Sequence, residues 1–232
     1  MLDKYFIYFQ RDIVANITVV MTLLPLSLII YRKAYIDPSF RLLLFFLIFK
    51  LIVDLIMFHY AVAKKNNLVF SNVTIIVRYA LLSGMFYYKF ENKSFRKFLI
   101  PITIVFSFFT LWDIWNCNPV LVNLKEHRIV KYAMTIESLL MIVWTLIYFY
   151  ELIRSLKIQN LLTFPFFWIC SGILIYYSSL IFISPALHYA IRWEKIIDIG
   201  FLDSILYIFD SVILLMFSMG IWFFSARYYA RQ

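Results

Sequence analysis

Seven long apolar runs follow one another along the chain, each closed by a short polar or basic stretch. They cover roughly 12–31, 42–62, 70–88, 98–117, 132–152, 162–185 and 203–225. A helix needs about 20 apolar residues to cross a bilayer. The runs are continuous, not alternating, and an open sheet cannot span lipid. The pattern therefore predicts an all-α, polytopic membrane protein: a seven-helix bundle forming a single transmembrane domain over 1–232. Pro101 and Pro165 fit early helix positions, where a missing N–H costs nothing. Pro25 and Pro185 are placed to kink or end their helices. The first apolar segment has no small-residue cleavage site after it and reads as a retained helix.

Composition sharpens the class. The chain is 64% hydrophobic and 21% aromatic, with a mean hydropathy of +0.84. A soluble domain is nearer half apolar. The net charge of +9 does not point to nucleic acid, because the basic residues form short clusters between runs, as in RKAY, AKKNN and KSFRKF. Such clusters anchor helix ends against lipid headgroups. The lipid bilayer is the first partner implied. Eleven Lys and Arg residues fall on one side of the seven runs and nine on the other. Arg32 and Lys33 follow the first run directly, so the expected orientation is an external N-terminus and a cytoplasmic C-terminus. Trp112 and Trp115 are placed to mark the outer interface.

Charges inside the runs carry the candidate chemistry. The stretch FKLIVDLIMFHY, Phe49–Tyr60, holds Lys50 and Asp54 four residues apart, on one helix face. A charge at mid-bilayer costs about 2.5–3.5 kcal/mol on insertion scales. One reading is a self-neutralising pair that only holds helices together. The other notes that Arg78, Asp113, Glu137 and Asp210 fall at a similar depth on other runs, as if lining one outward-facing polar cavity. In that arrangement Arg78 is the central cation, with Asp54 and Glu137 as its partners and Asp210 as the acid most prone to protonation. Asp113, in WDIW, has the simpler alternative of an interfacial cap. Ser204, Ser211 and Ser218 repeat every seven residues and suit close helix packing. Tyr79, Tyr176 and Tyr177 could line a polar cavity, although interfaces also collect tyrosine.

Catalytic signatures are sparse. His59, His127 and His188 map near one surface and are weak zinc candidates, with no His pair at the spacing of a helical metal motif. No metal site and no cofactor is assigned. The 203–225 run has no lysine for a retinal Schiff base. Cys117 and Cys170 fall at different depths and are not expected to pair.

Two segments, TIESLLMIVWTLIYFYELI (135–153) and FPFFWICSGILIYYSS (164–179), resemble an uncharacterised family of small bacterial seven-helix membrane proteins found with two-component sensor kinases. The resemblance rests on Glu137, Pro165, Trp168 and Gly172. It implies a sensory or accessory role in the bacterial cytoplasmic (inner) membrane, without a known ligand. The expectation is a receptor-like or accessory signalling protein acting through a membrane or cytoplasmic partner. A small ion- or proton-coupled transporter or channel, and a lipid-modifying membrane enzyme, are the alternatives. Oligomeric state is left open.

Overall fold

A computed structural model describes residues 2–11, 13–119, 126–155, 160–190 and 199–224. Its elements are helical throughout, with no strand among the described residues. The helices are α1 (Leu2–Arg11), α2 (Ile13–Met21), α3 (Leu23–Tyr31), α4 (Pro38–Val62), α5 (Leu68–Lys89), α6 (Lys93–Cys117), α7 (Ala133–Ser155), α8 (Pro165–Ala190) and α9 (Ile199–Trp222). Among the described residues, seven spans are long and apolar enough to cross a bilayer, the first being α2 and α3 together, Ile13–Tyr31.

Local chemistry explains most of the boundaries. Asp37 caps α4, its carboxylate accepting from Ser39 N at 2.8 Å, and Pro38 follows at the first helical position. Asn92 caps α6 by accepting from Ser94 N at 2.9 Å. That cap starts α6 before the apolar run, so Pro101 lies inside the helix and not at an early position. Pro165 does open α8, and Pro185 neither ends nor interrupts it. Near Pro25 the first span divides at Thr22. Proline lacks the N–H that would bond the carbonyl four residues back, and its ring crowds that carbonyl. The residue four back is Met21, where α2 stops.

Packing partners follow from chain direction. α4 and α9 run antiparallel, with Phe40 against Phe224 and Phe46 against Phe217 at ring-centroid distances of 5.1 and 6.3 Å. α5 and α7 run parallel, with Trp144 Nε1 donating to Tyr79 OH at 3.0 Å. Phe86, Tyr148 and Phe166 interlock where α5, α7 and α8 meet. These aromatics fill one half of the bundle, the half bounded by the start of α4 and the end of α5. At that end Lys89 Nζ reaches Asp37 Oδ2 at 2.7 Å. At the opposite end α1 packs on α4, with Tyr5 and Tyr8 against Phe58.

The seam between α8 and α9 is close. A Cβ on Gly220 would lie 2.7 Å from the Pro165 carbonyl oxygen, and one on Gly172 would lie 2.8 Å from Met216 Cβ. Small residues let helix backbones approach where no hydrophobic effect drives association. At Gly84 a Cβ would meet only Leu42 Cδ1, at 2.9 Å. Gly220→Ala is therefore expected to destabilise by about 1–3 kcal/mol, the usual cost of overpacking. Gly84→Ala should be near neutral, since a flexible Leu tip can move and Ala favours helix. Thermal unfolding in detergent reads the difference, and equal shifts would contradict the close α8–α9 approach.

Candidate functional site

Lys50, Asp54, Arg78, Glu137 and Asp210 form two ion groups. In the first, Lys50 sits near the middle of α4 and its ammonium touches two carboxylates. Nζ lies 2.8 Å from Asp54 Oδ2, one turn along the same helix, and 2.7 Å from Asp210 Oδ2 on α9. In the second, Arg78 of α5 makes a two-pronged contact with Glu137 of α7. Nε donates to Oε1 at 2.7 Å, and Nη2 donates to Oε2. Tyr177 OH of α8 also donates to Glu137 Oε1, at 3.0 Å. Glu137 has a side-chain exposure of 0%, so its charge rests wholly on these donors. Tyr176 OH lies 3.4 Å from Arg78 Nη1.

Both groups border one cavity of about 500 Å³. Lys50, Asp54, Arg78 and Asp210 stand on its wall, with side-chain exposures of 13, 22, 14 and 17%. Glu137 stands behind Arg78, outside the lining. Tyr8, Tyr176, Tyr177 and Tyr207 add aromatic surface, and Ser71 and Thr74 add hydroxyls. The cavity lies in the half of the bundle that carries α1 and the loop before α7, since Ile129 also lines it. Its deepest lining residues are Phe46, Leu82 and Leu214. Beyond them stand the buried rings of Phe40, Phe86, Phe166, Phe217 and Phe224.

The expected arrangement is corrected in four places. Arg78 is not the hub that joins Asp54 to Glu137: it holds Glu137, while Asp54 turns to Lys50. Lys50 takes the hub position because its ammonium, unlike the planar guanidinium committed edge-on to Glu137, can offer separate N–H donors to two carboxylates. Asp210, expected in the cavity but outside the ion group of Arg78, is the second of these. Asp113 is not part of the cavity. It is buried, and its Oδ2 accepts from the backbone N–H groups of Tyr132 and Ala133, both at 2.8 Å. A carboxylate there satisfies the orphan donors at the start of α7. Tyr79 also leaves the cavity: it is fully buried against Trp144 and Phe106.

Other polar residues serve structure. Thr18 Oγ1 of α2 lies 3.2 Å from the Tyr207 carbonyl and 3.0 Å from Ser211 Oγ on α9. Ser218 bonds only its own helix, at Leu214 O. Asn72, within the third run, was not singled out by sequence, yet it is fully buried and grips the loop before α7 through Arg128 O and Val130 N. Asn118 holds Arg128 N at 2.6 Å. An asparagine inside an apolar run was the available signal.

The three histidines lie apart from the cavity lining. His59 Nδ1 meets Tyr5 OH at 2.7 Å, and His188 stacks edge-on with Tyr189. Among the described residues no three His, Cys, Asp or Glu side chains gather to hold a metal ion. Cys117 Sγ donates to Asp113 Oδ1 at 3.8 Å, and Cys117 and Cys170 are both free thiols.

No protein-family model, curated protein or solved structure matches this chain.

Removing Lys50 should harm the fold more than removing either acid. Lys50→Met leaves two carboxylates facing each other, whereas Asp54→Asn leaves Lys50 with Asp210. Breaking a fully buried pair costs about 3–5 kcal/mol, and cavity water lowers that figure. The triple change Lys50→Met, Asp54→Asn, Asp210→Asn should recover most of the loss in thermal unfolding. Equal, negligible effects of all variants would mean that the three groups are independently hydrated.

His127 supplies a pH test. It is buried in the loop before α7 with neither ring nitrogen hydrogen-bonded. Burial disfavours the imidazolium and holds its pKa below the ordinary 6.5. The unfolded chain thus takes up the proton first as pH falls. His127 contributes stability fully above about pH 6.5 and loses it as pH drops through the lowered folded value. Melting temperature should fall between about pH 7 and pH 5, and His127→Phe should flatten that slope. An unchanged slope would show that His127 is hydrated in the folded protein.

Proposed function

We propose that this chain is a receptor-like or accessory signalling protein of the bacterial cytoplasmic membrane. It binds a small organic ligand in the charged cavity and passes the change to a partner protein. The observation that carries this reading is the cavity itself. It is roomy enough for a small molecule, two ion groups from four helices border it, and aromatic packing lies beyond its deepest residues. A cavity that ends half-way suits binding better than conduction.

The ion groups also give binding a way to be felt. Lys50–Asp210 ties α4 to α9, and Arg78–Glu137 ties α5 to α7. A ligand that competes for either set of charges alters a contact between helices. Lysine and arginine placement gives a cytoplasmic C-terminus. Arg32, Lys33, Lys93, Arg96 and Lys97 then supply the cytoplasmic docking surface. The resemblance of 135–153 and 164–179 to small seven-helix proteins found with sensor kinases points the same way.

The runner-up is an ion- or proton-coupled transporter, favoured by two membrane-embedded carboxylates on a cavity wall. One pair of measurements separates the two. The purified chain is screened by thermal shift against small charged organic molecules, and tested in proteoliposomes with a trapped pH dye. The expected outcome is a ligand whose stabilisation is lost in Asp210→Asn, with no protein-dependent proton flux. Flux that depends on Asp54 or Asp210, with no stabilising ligand, would overturn the receptor reading in favour of transport.

A further inference from the structure

The charges on the cavity wall do not balance. Lys50 faces Asp54 and Asp210 together, so this group carries one excess negative charge when all three are ionised. Arg78 and Glu137 neutralise each other. No other ionisable Asp, Glu, Lys, Arg or His side chain lines the cavity among the described residues. Each aspartate presents Oδ2 to Lys50, which leaves the Oδ1 atoms without a hydrogen-bond donor among the described residues.

We propose that the cavity takes a monovalent organic ammonium with an apolar body, its cationic head at the free oxygens of Asp54 and Asp210. The proposal rests on the binding reading above and names the ligand's class.

Three features select this chemistry. First, the group beside Lys50 is one positive charge short, and an apolar surround magnifies that shortage. Second, the donor set is wrong for a bare metal ion. Calcium takes six to eight oxygens, and magnesium an octahedron of them. Two carboxylate oxygens in a cavity of about 500 Å³ do not form such a cage. An ammonium needs only a few acceptors, and Lys50 already shows two carboxylates holding one. Third, the walls around the charges are apolar and aromatic. Phe46, Phe49, Tyr176 and Tyr207 line the cavity. Aromatic faces attract cations, and ring edges and aliphatic side chains cover an apolar body. A carboxylate ligand would have to add to the negative excess, because the one guanidinium on the wall is already committed to Glu137.

The test uses the full chain in lipid nanodiscs and three probes of equal length: hexylamine, hexanoate and hexanol. Binding is followed by titration calorimetry. Hexylamine is expected to bind, and hexanoate and hexanol to show no saturable heat. Asp210→Asn and Asp54→Asn should each weaken hexylamine at least tenfold. Lys50→Met should strengthen it, because it leaves two uncompensated carboxylates. The comparison of the three probes on the unaltered chain keeps the test decisive if the variants prove unstable. Saturable binding of hexanoate or hexanol in place of hexylamine would overturn the ammonium assignment and leave the binding reading intact. So would hexylamine binding that ignores all three substitutions. If no probe binds, the ammonium assignment falls; if Asp210-dependent proton flux then appears in proteoliposomes, the binding reading falls with it.

Discussion

An ionised side chain in the apolar part of a bilayer persists only if something there replaces its water. In this bundle the Lys50 ammonium meets that condition with two carboxylates, one from its own helix and one from α9. Asp54 alone would have sufficed to neutralise Lys50 within α4. The contact to Asp210 adds the tertiary consequence. It continues the α4–α9 seam that Phe40–Phe224 and Phe46–Phe217 form deeper in the bundle. Along that seam the contacts pass from ring on ring to ion on ion, and the cavity opens where the rings stop.

Arg78 and Glu137 solve the same problem differently. Glu137 is wholly enclosed, so it must be satisfied on every side, and a planar guanidinium plus the Tyr177 hydroxyl do so. Lys50 and its acids are partly open to the cavity, where Oδ1 atoms keep capacity to spare. One ion group is thus a closed structural joint that presents only an arginine face, and the other is an open joint. The open joint is the one with room to recognise something.

Polar residues near the same end have a third purpose. Asp113, Asn72 and Asn118 all spend their side chains on backbone groups of the loop that leads into α7. A loop at a membrane surface must satisfy its backbone without a regular ladder. Fixing it also fixes Ile129, which lines the cavity, and the start of α7, from which Glu137 projects. These residues shape the cavity without standing in it.

The apolar runs alone determined the helical membrane class and the seven spans, and the four-residue spacing put Lys50 and Asp54 on one helix face. Each of these depends on local periodicity or on residues one turn apart, which a sequence displays directly. The same pattern placed Arg78, Glu137 and Asp210 at a common depth but not around a common atom. Depth is a one-dimensional property of a span, whereas partnership depends on the rotation of each helix and on which helices are neighbours. Rotation turned Asp113 away from the cavity onto the start of α7, and neighbourhood gave Asp210 to Lys50 and not to Arg78. The division of the first span at Thr22 and the inward position of Pro101 were likewise beyond hydropathy, since caps such as Asn92 and not apolar runs set where helices begin. Only the tertiary structure decided which charge is the hub, because only packing chooses which side chains share a space.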